Sequence, residues 1–88
     1  MTPASDSDEI RRKRLLWRAT HRGIKEMDII FGGFVQRGLT RFTPAELDEL
    51  ERMVALPDQE LLAWATQMAP VPSAHDGPLL RAMLAYRP

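Results

Sequence analysis

The chain has 88 residues, 44% of them hydrophobic, twelve basic and twelve acidic, and no cysteine. That is enough for one domain with a thin core. The zero formal net charge argues against a dedicated nucleic-acid binder, which is usually basic at this size. The missing thiols exclude a disulfide framework and thiolate metal or redox chemistry, and they fit a reducing compartment. No run approaches the roughly 20 apolar residues of a membrane-spanning helix. The polar, acidic stretch Met1 to Glu9 has neither the apolar run of a secretory signal nor the composition of a transit peptide.

The pattern predicts five helices and no strand, an all-α, compact single-domain bundle over residues 8–88 behind a mobile Ser/Thr/Pro/Asp-rich lead at residues 1–7. The first helix is expected from Asp8 to Thr20, with Ser7 as cap and Asp8 and Glu9 favourably placed in its first turn. Its apolar positions are Ile10, Leu15, Leu16, Trp17 and Ala19. Arg11, Arg14 and Arg18 fall at i, i+3, i+7 on the other side. His21 sits where it can cap the end of this helix.

Gly23 lies at the junction with the next segment, where a glycine can take the left-handed conformation that closes a helix. The second helix starts near Ile24 or Lys25 and reaches Gln36, with Met27, Ile30, Phe31 and Phe34 as its core stripe. Gly32-Gly33 interrupts it at about 1 kcal/mol per glycine relative to alanine. Close approach of a neighbouring helix explains that; approach of a partner's backbone is the weaker explanation. Gly38 ends the helix.

Thr43-Pro44-Ala45-Glu46 opens the third helix as a capping box with proline at the first helical position. Leu47, Leu50, Met53 and Val54 form its buried face. Pro57-Asp58 breaks and recaps the chain, and Leu61, Trp64, Ala65 and Met68 carry the fourth helix. Pro70-Val71-Pro72-Ser73 is a loop. Asp76, Gly77 and Pro78 begin a last helix with Leu79, Leu80, Met83 and Leu84 inside. Short connections make successive helices pack as neighbours.

Catalytic patterns are missing. No phosphate-cradling loop is present, because Gly32-Gly33 lies inside an apolar helix without the lysine-serine pair of a P-loop. His21 and His75 are the only histidines and belong to no HxxxH or HExxH arrangement. Ser5, Ser7 and Ser73 have no histidine and acid set beside them. Asp48 with Glu51, and Glu49 with Arg52, are spaced as solvated helix faces are. The chain reads as no enzyme. The run Arg11-Arg12-Lys13-Arg14, extended by Arg18, is either a solvated face or a contact for an acidic protein surface.

Arg22 and Glu26 are four apart, so a helix restarting after Gly23 presents both near one spot. On spacing alone that is an ordinary intrahelical pair worth roughly 0.3–0.5 kcal/mol. The wider pattern says more. Arg11-Arg12-Lys13-Arg14-Leu15-Leu16-Trp17-Arg18, then His21-Arg22-Gly23, then Lys25-Glu26-Met27-Asp28 closely resembles the succinate dehydrogenase assembly factors, five-helix proteins defined by an Arg-Gly-x-x-Glu motif. The similarity continues through Ile29-Ile30-Phe31-Gly32, the Thr43-Pro44-x-Glu46 cap, Glu51, Pro57-Asp58 and Trp64. It spans about residues 10–65; the last twenty residues and Gly33 match less well.

The resemblance implies a chaperone that binds the flavoprotein subunit of succinate dehydrogenase, and in some bacteria that of fumarate reductase, and promotes covalent attachment of FAD to a histidine there. It implies partner contacts at Arg22, Gly23 and Glu26, with His21, Lys25 and Asp28 at the rim and Arg11, Arg14 and Arg18 extending the footprint. Such a factor holds no FAD tightly itself, enters no membrane, binds no nucleic acid, and works as a monomer in the bacterial cytoplasm. The competing reading is a small helical regulatory or nucleic-acid-binding protein using the basic first helix.

Overall fold

The computed structural model describes residues 4–88, with side chains from Asp8 onward. Its elements are α1 (Ala4–Thr20), α2 (Lys25–Gly38), α3 (Pro44–Val54), α4 (Asp58–Ala65) and α5 (Pro78–Ala85), with no strand among the described residues. The chain is an all-α single domain, as expected. The expected lead at residues 1–7 falls partly on residues 1–3, which lie outside the described residues. Helix α1 begins at Ala4 rather than Asp8, so Ser7 lies within it and is not its cap.

α1 packs mainly on α2 and also touches α3. α5 lies against α2, α3 and α4, which closes the bundle. The core runs through all five helices: Leu15 and Ala19, then Met27, Phe31 and Val35, then the α3 face, then Leu61, Trp64 and Ala65, then the α5 face. No buried residue among those described is polar or charged. The four expected positions of α3 and the four of α5 are all buried. Ile30 and Phe34 of α2 are half-buried against the core, and Val35 takes the deeper place because it continues the Met27–Phe31 stripe by one more turn.

Three expectations fail on exposure. Trp17 is 61% exposed and Ile10 56%. Leu15 and Ala19, four apart, define the buried stripe of α1. At 100° per residue Trp17 stands about 200° from Leu15, on the opposite face. Met68 is also exposed, because α4 ends at Ala65 and the chain turns through a left-handed Gln67 (φ 63°) before reaching it.

Several polar side chains hold the helices together at their ends, where backbone groups lack helical partners. Thr43 and Glu46 form the expected capping box, Glu46 N donating to Thr43 Oγ1 at 3.1 Å and Thr43 N to Glu46 Oε1 at 2.8 Å. Arg12 donates to Leu39 O and Phe42 O at 2.7 and 2.8 Å, tying α1 to the link after α2. Glu49 is not a solvated residue. Its carboxylate accepts from Leu79 N and Leu80 N, 3.1 Å each, and so caps α5 across 30 residues of sequence. Asp48 and Glu51, read as solvated, accept from Arg11 at 2.7 and 3.2 Å.

Candidate functional site

Residues 21–24 join α1 to α2, and their geometry differs from the sequence expectation in three respects. First, no glycine among the described residues has positive φ, so Gly23 is not a left-handed cap. α1 closes instead through Thr20 and His21: Thr20 Oγ1 donates to Leu16 O at 2.9 Å, and the His21 backbone N donates to Trp17 O at 3.0 Å with His21 Nδ1 2.8 Å from the same carbonyl. The expected placement of His21 at the helix end holds.

Second, Arg22 and Glu26 do not form a surface pair. The Arg22 side chain is turned inward and is only 8% exposed. Its Nη1 and Nη2 donate to Val54 O and Leu56 O at 2.7 and 2.6 Å, its Nε donates to Asp58 Oδ1 at 2.6 Å, and the guanidinium carbon lies 5.3 Å from the centroid of the Phe31 ring. A planar cation with a fork of donors suits this position, because Val54 O, the last carbonyl of α3, has no helical donor and lies at the negative end of its dipole, and Leu56 O follows in the link to α4. Glu26 points outward, and among the described residues it has no hydrogen-bond or ion-pair partner.

Third, Asp58 is not the side-chain cap of α4. The N-cap position is Pro57, and no side chain caps it. The Asp58 carboxylate reaches back to the corner instead, taking Arg22 Nε on one oxygen and Gly23 N on the other, both at 2.6 Å. Asp28 accepts from Arg22 N, again at 2.6 Å. Two carboxylates from two helices therefore hold consecutive amides of one short loop.

The remaining expected contacts divide into engaged and outward-facing groups. Arg11 is bound to Asp48 and Glu51, whose hydrogen bonds, Asp48 first, push its guanidinium above its ordinary pKa. Arg18 lies 3.9 Å from Glu51, Lys13 pairs with Glu9, and Arg12 with Asp8. Of the basic run only Arg14 has no acidic partner among the described residues. Lys25 is exposed, and Gly23 offers its open side to solvent. A Cβ on Gly23 would meet only Asp58 Oδ2, at an ordinary 3.6 Å.

One outward-facing residue was missed. Trp17 stacks on the His21 ring, centroids 4.2 Å apart and planes 13° from parallel. Arg14, Trp17 and His21 recur at i, i+3, i+7, so they share one exposed face that runs into the corner. The signal lay in the helical angle between Leu15 and Trp17, which puts the two on opposite sides. Nothing at this corner is arranged for proton transfer or nucleophilic attack. Among the described residues no three His, Asp or Glu side chains gather as a metal site, and no helix is long and apolar enough to cross a membrane. What the corner presents to solvent is a short hydrogen-bonded backbone turn, an exposed carboxylate, two cations and a stacked aromatic pair.

Comparison with known proteins gives the chain a family. A family model described as flavinator of succinate dehydrogenase matches residues 13–87. The FAD assembly factor SdhE of Acetobacter pasteurianus is 41% identical over 81 residues, covering 92% of this chain and 74% of that protein. The mitochondrial succinate dehydrogenase assembly factor 2 of Scheffersomyces stipitis is 42% identical over 59 residues, and that of Mycosarcoma maydis 34% over 73. The matched stretch spans 40% and 31% of the length of those two fungal proteins.

Proposed function

This chain belongs to the family of succinate dehydrogenase flavinators, and from that membership we propose that it binds the flavoprotein subunit of succinate dehydrogenase and promotes covalent attachment of FAD to it. The chain acts as a non-catalytic chaperone. The flavoprotein's own groups make the bond, and this protein favours the conformer in which they can. Binding one conformer more tightly by only about 1.4 kcal/mol raises its population ratio tenfold. The contact surface is Gly23 and Glu26, flanked by His21, Lys25, Arg14 and Trp17. Arg22 and Asp28 support that surface from behind, and Arg11 and Arg18 are engaged within the fold. The same surface serves the fumarate reductase flavoprotein where that client exists. The protein works as a cytoplasmic monomer and holds no FAD tightly by itself.

The observation that carries this reading is Glu26, an exposed carboxylate in the family motif with no intramolecular partner among the described residues. The reading as a nucleic-acid binder has lost its main support, since four of the five cations of the basic stretch pair with acids of the chain. The test is a gene deletion followed by covalent flavin fluorescence on the denatured flavoprotein. The signal should fall on deletion, return with the wild-type chain and fail to return with Glu26→Ala. Normal flavin attachment without the protein, under respiratory growth, removes the proposal.

A further inference from the structure

We propose that Asp58 is a positioning residue for partner recognition, acting by ordering the Arg22–Gly23 backbone so that the open side of Gly23 and the Glu26 carboxylate are presented together; this rests on the flavoprotein-binding reading above. Asp58 lies 36 residues from Arg22 in sequence, at the start of α4, and its side chain is 15% exposed. Its two oxygens are divided between the corner's side chain and the corner's backbone: Oδ1 takes Arg22 Nε and Oδ2 takes Gly23 N. A brace needed only to join α4 to the rest of the fold could be apolar. This one accepts from the amide of the one loop residue without a Cβ, where nothing else limits backbone freedom.

Asp58 and Asp28 together leave neither Arg22 N nor Gly23 N without a protein acceptor. Taking Asp58 away frees Gly23 N and Arg22 Nε at once. It leaves the apolar contacts of α1 with α2, and of α5 with its neighbours, untouched, because Asp58 is not part of the core. A partner docking on the loosened corner must then order that backbone itself, and fixing a single residue's backbone weakens binding by roughly tenfold. Arg22 belongs to the same device. It faces inward to Val54 and Leu56, so this arginine of the motif acts through the loop it anchors.

The experiment compares the full chain with Asp58→Ala, Glu26→Ala and the double variant, using calorimetric titration against the purified flavoprotein subunit, together with amide hydrogen exchange. The expected result for Asp58→Ala is faster exchange at the Arg22 and Gly23 amides while the α3 and α5 amides stay protected, with affinity down roughly tenfold. In the Glu26→Ala background the Asp58 change should cost clearly less, since both act through one contact. Asp58→Asn, which keeps the side-chain volume but has only one carboxamide oxygen to accept with, is the second variant if alanine does not fold. It should show the same pattern more weakly. Unchanged affinity with loosened corner amides overturns the positioning role. So does an affinity loss that is fully additive with Glu26→Ala and follows only the fraction folded. If the wild-type chain itself fails to bind the flavoprotein, the functional reading falls, a result distinct from either.

Discussion

A Cβ built on Gly32 would stand 2.7 Å from Thr20 Cγ2 and 3.3 Å from Thr20 Cα, so α1 and α2 meet there with no room for a methyl group. The methyl end of Thr20 could turn aside, but its backbone could not without moving α1. Gly32→Ala should therefore destabilise the fold by about 1–3 kcal/mol, the usual cost of overpacking. Gly23→Ala provides the contrast. Its Cβ has an ordinary neighbour at 3.6 Å and no positive φ to strain, so stability should stay within about 0.5 kcal/mol. Denaturant titration of the two variants checks both expectations, and a loss of flavoprotein binding in Gly23→Ala alone would assign that glycine to the partner. The sequence made the Gly32 reading possible, because a glycine in an apolar helix has few other uses. It could not give the direction of Arg22. Spacing pointed to Glu26 four residues on, whereas the acceptors that hold Arg22 lie 32 to 36 residues away.

The helices differ in how far local sequence fixed them. α3 was legible in full, since both halves of its capping box lie within four consecutive residues and its buried face keeps strict spacing. α1 was not. It carries few apolar residues, and reading Trp17 and Ile10 as core ignored the angle at which they leave the helix. α4 was read too long because its stop lies in backbone conformation rather than in a glycine or proline. Gln67 holds the left-handed turn that glycine usually supplies, while Met68 N closes the helix onto Ala63 O at 2.8 Å. Left-handed backbone costs a side-chain-bearing residue roughly 1–2 kcal/mol. Glycine would return about 0.4–1 kcal/mol of that through a freer unfolded chain. Gln67→Gly should thus raise stability by about 0.5 kcal/mol, seen as a higher urea midpoint at unchanged slope. α5, at eight residues, is too short to stand alone, and its first turn depends on Glu49. Glu49→Ala should cost about 1 kcal/mol, the worth of a lost cap, and lower the melting temperature by roughly 4–8 °C.

At the scale of the whole molecule the decisive question is whether the last helix is an appendage or part of the fold. The motifs quoted from the sequence stop near residue 65, yet the family model matches through residue 87, and α5 touches three other helices and supplies Leu79, Leu80, Met83 and Leu84 to the common core. A chain of this length is expected to be stable by about 4–13 kcal/mol, from roughly 0.05–0.15 kcal/mol per residue. Emptying the place of one large core side chain typically costs about 2–5 kcal/mol. Losing four of them, with Met83 fully buried and Leu80 nearly so, exceeds what the remaining helices can hold. The Asp58 corner would go with them, because α4 rests on α5 as well as on α2. A chain ending at residue 76 should therefore lose helical circular dichroism throughout, far beyond the eight residues of α5, and show no cooperative melting. The intact chain should melt in one two-state transition. A truncated chain that keeps a cooperative transition would make α5 a detachable cover, and the partner-facing corner would then be independent of residues 77–88.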